Sequence, residues 1–196
     1  MNDDGTVGVL VFEGVDAIAT AGVVQVLRAG AADGCGLDTT LYSLVPSDRV
    51  ETSAGLAIVP DDVLIGTPDV VVIPGGVGSE GTGGSVADDL PERVAGLADG
   101  GATVAGVGPG VGVLAEAGLL DGRTVTGPPN LAADLEGVAG EVSEDSVVED
   151  GTVLTAATPS DGALLAMRLL ESRGCRAVED VAARVGRDWP DRSGQS

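Results

Sequence analysis

Asp69-Val70-Val71-Val72-Ile73-Pro74-Gly75-Gly76 is the stretch that decides the fold. Four β-branched residues run without interruption and a Pro-Gly-Gly turn stops them. A strand that is apolar on both faces must be covered on both faces, as in the interior of a parallel sheet. Working outward, Val7-Gly8-Val9-Leu10-Val11-Phe12 and Thr103-Val104-Ala105-Gly106-Val107 read the same way, with shorter strands at residues 41–45 and 124–126. Between them the spacing predicts helices over 16–29, 86–99, 109–117, 160–173 and 176–185, and a helical turn over 130–136. Residues 50–58 read as a short hairpin, and residues 146–149 pair with 152–157 across Asp150-Gly151. Strands alternating with helices imply an α/β three-layer sandwich with a mostly parallel central sheet. The expected organisation is one domain over residues 1–187, a flexible loop at 78–84 and a loose tail at 188–196.

Charge is the strongest global feature. The 196 residues hold 31 acidic and 10 basic side chains, for a formal charge of -21, and contain no histidine. Every basic residue is arginine. Such a domain repels itself at low ionic strength, and concentrated salt relieves this because the Debye length falls to about 3 Å at 1 M. A halophilic setting is therefore expected. Nucleic acid is excluded as a partner, since phosphate recognition needs basic patches, and anionic membrane surfaces are disfavoured. No apolar run is long enough to span a bilayer and the acidic start does not resemble a secretory signal, so a cytoplasmic protein is expected.

The lack of histidine removes every Ser-His and Cys-His catalytic pair. No residues have metal-ligand spacing, so neither metal nor cofactor is expected. Cys35 and Cys175 are too few for a disulfide framework. Each reads as an ordinary small residue near a turn at the amino ends of the strands. Gly76-Val77-Gly78-Ser79-Glu80-Gly81 spells a dinucleotide motif, but it runs on into more loop rather than into a helix, which argues against nucleotide.

In a sheet of this kind ligands sit beyond the carboxyl ends of the strands. That places a candidate pocket at Glu13, Gly75, Gly76, Gly108, Pro109, Gly110 and Thr126. The segments 7–14, Ser53-Ala54-Gly55-Leu56, Val71-Val72-Ile73-Pro74-Gly75-Gly76 and Ala105-Gly106-Val107-Gly108-Pro109-Gly110 together resemble the DJ-1/PfpI (ThiJ/PfpI) superfamily. The long stretch Leu114-Ala115-Glu116-Ala117-Gly118-Leu119-Leu120-Asp121-Gly122-Arg123-Thr124-Val125-Thr126 carries the resemblance further. The pattern is most similar to the isonitrile-hydratase-like branch, which includes ligand-sensing halves of transcription regulators, and to a haloarchaeal-type member of it. The resemblance implies a flavodoxin-like fold and a homodimer. It also implies a nucleophilic cysteine on a strand-to-helix elbow, a supporting carboxylate near the start of the first helix, a histidine after the short strand beyond the elbow, and an anion pocket built partly from Pro-Gly-Gly amides.

This chain departs from the pattern at each of those side chains. Gly108 stands at the elbow, Ala19 at the carboxylate position and Pro128 at the histidine position. Nearby, Gly22-Val23 and Gln25 replace the Gly-Pro and acid that usually follow the carboxylate. Glycine adopts elbow angles without a Cβ penalty, and proline suits the first helical position, so Gly108-Pro109 keeps the turn without the nucleophile. Three readings remain: a non-catalytic or ligand-sensing protein with a small-molecule ligand at the elbow, a hydratase or lyase acting through water and Glu13, and a structural or chaperone-like dimer. Thr126 and Ser160 also approach the pocket in this topology, without a visible activating base.

Overall fold

The computed structural model describes residues 5–35, 37–76, 89–187 and 189. The expected loop at 78–84, the dinucleotide-like motif beyond Gly76, residues 86–88 of the second helix and the 188–196 tail apart from Trp189 lie outside them. In chain order the elements are β1 (Gly5–Val11), α1 (Ala17–Ala32), β2 (Leu37–Ser43), β3 (Val50–Glu51), β4 (Ala57–Ile58), β5 (Asp62–Val63) and β6 (Val70–Pro74). There follow α2 (Leu90–Asp99), β7 (Thr103–Val107), α3 (Gly110–Glu116), β8 (Thr124–Val125), α4 (Ala132–Glu136), β9 (Glu141–Val142), β10 (Val147–Asp150), β11 (Val153–Ala156), α5 (Gly162–Ser172) and α6 (Val178–Arg184). Short 3-10 turns at Pro129–Leu131 and Pro159–Asp161 lead into α4 and α5.

Seven strands form the central sheet in the order β10-β11-β7-β6-β1-β2-β5. All neighbours are parallel except the β10–β11 hairpin. The two-residue ladder β3–β4 is antiparallel, as expected of the 50–58 hairpin, whereas β8 pairs in parallel with β9.

Alternation along β6 shows why its unbroken valine run belongs at the centre. Val70 and Val72 pack into one core with α1, α5 and α6, while Val71 and Ile73 pack into the other with α2, α3 and α4. All four are fully buried. Each buried side chain of this size stabilises the fold by about 1.5–3 kcal/mol. Asp16 starts α1 by accepting a hydrogen bond from the Ala19 amide at 2.8 Å. Glycines then let α1 approach α5 closely. A Cβ on Gly30 would lie 2.8 Å from Leu170 Cδ1, and one on Gly22 would lie 3.4 Å from the Ala163 nitrogen.

The amino ends of these strands hold a feature that the isolated cysteines did not suggest. Cys35 and Cys175 do lie there, but they are joined in a disulfide, with Cα atoms 4.8 Å apart. Reading each as an ordinary small residue was incorrect, because pairing depends on two helix ends becoming neighbours.

Arginine side chains act mainly as internal clamps. Arg93 donates to the Leu44 carbonyl, Arg123 to the carbonyls of Leu119 and Asp150, and Arg187 to that of Ser160. Arg28, Arg168 and Arg184 pair with Asp61, with Glu149 and Glu171, and with Asp33. Arg173 donates to Thr103 Oγ1. No helix among the described residues is long and apolar enough to cross a membrane.

Asp69 ties together the amino ends of three central strands. Its Oδ2 accepts from the amide and hydroxyl of Thr6 at 2.7 and 2.8 Å, and its carbonyl accepts from the Thr103 amide. The Thr6 hydrogen bonds hold the Asp69 carboxyl below its ordinary pKa. A carboxylate depressed in this way stabilises the fold above its unfolded-state pKa and loses that contribution as pH falls through the folded-state value. Asp69→Asn should therefore lower the melting temperature at neutral pH. The gap to the unmodified chain should narrow as pH is taken below about 4. Calorimetry at constant KCl across that range checks it; a gap independent of pH would refute the linkage.

Candidate functional site

The carboxyl ends of β1, β6 and β7 converge on a knot built almost wholly from backbone. The Gly75 amide donates to the Val107 carbonyl at 3.0 Å, and the Gly75 carbonyl accepts from the Asp16 amide at 2.7 Å. An isolated antiparallel bridge joins Val15 to Gly76. These contacts explain the Pro-Gly-Gly turn. A Cβ on Gly75 would lie 2.6 Å from Pro109 Cδ, and one on Gly76 would meet the backbone of Gly14 and Val15. A Cβ on Gly110 would collide with the Ile73 carbonyl oxygen.

Gly108 is the residue between β7 and α3, and its φ of 55° lies in the left-handed region. Its amide donates to the Ala156 carbonyl at 2.9 Å, so the elbow is stitched to β11. Directly over its Cα stands Pro159. A Cβ at position 108 would be 2.9 Å from Pro159 Cδ and 3.0 Å from the Pro159 nitrogen. Thr158 and Asp161 fix that obstruction, since the Thr158 amide and hydroxyl both donate to Asp161 Oδ2, at 3.0 and 2.6 Å. Position 108 therefore needs glycine twice over, for its dihedral angle and for the space above it.

Around this knot the other expected residues fall into two groups. Gly75, Gly76, Gly108, Pro109 and Gly110 come together with touching backbones. Thr126 is buried against β11, its amide donating to Thr155 Oγ1 at 2.9 Å. The next residue, Gly127, lies against Val111 of α3. Glu13 faces elsewhere: its Oε2 accepts from the Glu51 amide at 3.1 Å, while the Gly14 amide donates to the Glu51 carbonyl at 2.7 Å. Its exposed carboxylate thus anchors the β3–β4 hairpin to the β1–α1 turn.

The remaining two positions are filled by structure. Ala19 is fully buried in the α1–α5 core, and its carbonyl lies against Gly162. Pro128 is buried at the start of the 3-10 turn leading to α4. Ser160 is exposed, and its carbonyl accepts from Arg187 at 3.1 Å. No group of three or more acidic, cysteine or histidine side chains placed to hold a metal occurs among the described residues. A groove of about 280 Å³ beside α3 is lined by Gly112, Ala115, Leu131, Leu135 and Val138, and it contains none of the expected pocket residues.

A parallel sheet with a strand-to-helix elbow facing a Pro-Gly-Gly turn defines a class of α/β proteins, and comparison with known proteins agrees. The family model of the DJ-1/PfpI family matches residues 5–172, and the chain belongs to that family. Protein dj-1beta of Drosophila melanogaster is 28% identical over 164 residues, covering 80% of this chain and 86% of that protein. The crystal structure of Drosophila melanogaster DJ-1beta superposes with a TM-score of 0.79 at 26% identity, covering 96% of this chain and 100% of that one. An AraC family transcriptional regulator from Pseudomonas putida shares the fold with a TM-score of 0.77 at 21% identity, covering 92% of this chain and 99% of that one. The flavodoxin-like architecture inferred from the sequence is the one observed.

Sequence reasoning located the elbow but missed Pro159. Its only sequence signal was the Thr158-Pro159-Ser160-Asp161 cap, which says that a helix begins but not what its first residue covers. Gly108→Ala should cost roughly 2 kcal/mol or more, from left-handed strain together with overpacking against Pro159. Gly151→Ala is the control: Gly151 has a φ of 61°, and its Cβ would meet only the flexible Arg123 guanidinium. Denaturant unfolding in KCl should show the larger loss at position 108; equal losses would mean that Pro159 gives way.

Proposed function

We propose that the chain is a non-catalytic member of the DJ-1/PfpI family that acts by binding rather than by covalent chemistry. The observation carrying this reading is the Pro159 ring seated where the first atom of an elbow side chain would project. A family enzyme that had lost only its cysteine would keep room for one. Here the room is closed, the position that resembles the supporting carboxylate holds a core methyl at Ala19, and the position that resembles the histidine holds the buried Pro128. The amides of Gly75 and Gly108 are already committed to Val107 and Ala156, so a small-molecule ligand beside the elbow is held by groups other than these two amides. The alternative of water-based hydratase or lyase chemistry through Glu13 is less well supported, because that carboxylate is engaged by β3. A turnover screen with isonitriles and 2-oxoaldehydes tests the proposal. It is run in multimolar KCl, which screens the charge of -21. No reaction above background is expected, and turnover abolished by Glu13→Gln would overturn it.

We further infer that the binding partner includes a second copy of the chain. Ile18 at the start of α1, with Leu56 and Val59 on and beside the β3–β4 hairpin, are 62%, 61% and 69% exposed. The hairpin is joined to the β1–α1 turn by the Ser53 amide bonding to the Val15 carbonyl. These large apolar side chains thus sit on two connected elements of an otherwise strongly anionic protein, as an interface core would. Light scattering in KCl should report a dimer that Ile18→Asp combined with Leu56→Asp converts to monomer. A monomeric unmodified chain would refute this.

A further inference from the structure

The disulfide lies at the opposite end of the molecule from the elbow and is produced by a repeated local motif. α1 ends with Asp33 as its cap and Gly34 at φ 81°; the Cys35 amide then bonds to the Gly30 carbonyl and the Gly34 amide to that of Ala31. α5 ends identically, with Arg173 as cap and Gly174 at φ 80°, the Cys175 amide bonding to the Leu170 carbonyl and the Gly174 amide to that of Glu171. Both are Schellman motifs, and in both the residue after the left-handed glycine is cysteine. The two helices run parallel on the same face of the sheet, and the contact of Gly30 with Leu170 brings their last turns together. Two identical caps in contact place two identical positions face to face.

We propose that Cys35 and Cys175 form a thiol–disulfide exchange site whose partners are low-molecular-weight disulfides and dithiols, and that its oxidation state sets the stability of the α1–α5–α6 layer. Both residues are only partly buried at a surface end of the core, so a small thiol reaches them without unfolding the sheet. The bond closes a sequence separation of 140 residues, which removes much freedom from the unfolded chain. A second tether, Arg184 to Asp33 at 2.6 Å, joins α6 to the same cap, so the layer is pre-positioned for ring closure. The exchange balances as follows. One cysteine thiolate attacks the S–S bond of the oxidant, forms a mixed disulfide and expels one thiolate. The second cysteine thiolate then attacks the cysteine sulfur of that mixed disulfide and expels the other. The two protein sulfurs lose two electrons in all, and the two protons leave on the released thiols.

The test equilibrates the full chain in multimolar KCl with either oxidised glutathione or dithiothreitol, counts alkylated thiols by intact mass, and records thermal unfolding. Oxidised glutathione should leave no alkylatable thiol and dithiothreitol should leave both, with the oxidised form melting about 5–15 °C higher. In the reduced form, hydrogen exchange should rise at the last turns of α1 and α5 rather than at the elbow. Cys35→Ala with Cys175→Ala should melt at one temperature in both buffers. The proposal fails if the two forms melt together, if the thiols stay alkylatable in excess oxidised glutathione, or if dithiothreitol opens the bond only after unfolding. Should the double variant not fold, the comparison of the two forms of the unmodified chain decides alone.

Discussion

The carboxyl ends of β6 and β7 approach α3 so closely that no side-chain atom fits between them. Gly110 lies against the Ile73 carbonyl, Gly75 against the Pro109 ring, and Gly108 under Pro159. Each contact exists because a Cβ is missing. Together they set the entry angle of α3, the position of the Pro-Gly-Gly turn and, through the Gly75–Asp16 hydrogen bond, the start of α1. Both layers of helices are therefore registered on the sheet at one point. In a cysteine enzyme the same point would hold a strained nucleophile. Here glycine takes the left-handed conformation without a Cβ penalty and Pro159 fills the space above it, so the elbow joins sheet and helices by close backbone packing.

Much of this was legible in the sequence where hydrophobic periodicity speaks clearly. The Thr103–Val107 strand falls on its expected residues, and the central valine run lies where an unbroken apolar strand must lie. The elbow glycine and proline were visible as a turn because their backbone preferences are intrinsic. What stayed hidden depended on neighbours distant in the chain. β5 and β9, two residues each, pair without any apolar signature of their own. Pro159 marked a helix start, but only the β7–β11 pairing brings it over Gly108. Each cysteine follows a glycine, Gly34 or Gly174, yet pairing them required knowing that α1 and α5 are parallel and touch at Gly30. Glu13 lies just beyond β1, and the direction of its carboxylate is set by a hairpin that local sequence does not orient.

The two ends of the α1–α5 pair are held by different chemistry. Near the elbow, backbone contacts among glycine, alanine and proline fix the helices without a covalent bond. At the far end the Cys35–Cys175 bond does so, and an arginine–aspartate bridge ties α6 to the cap of α1.

The arginine clamps carry a consequence for how the molecules meet one another. Seven of the nine arginines among the described residues are engaged with carbonyls, hydroxyls or carboxylates of their own chain. The 31 acidic side chains outnumber the 10 arginines, so the surface stays strongly anionic. In solution such particles behave as small polyanions sheathed in mobile counterions, and their mutual avoidance fades only when dissolved salt is plentiful. Encounters between copies are then governed by ionic strength first and by surface shape second.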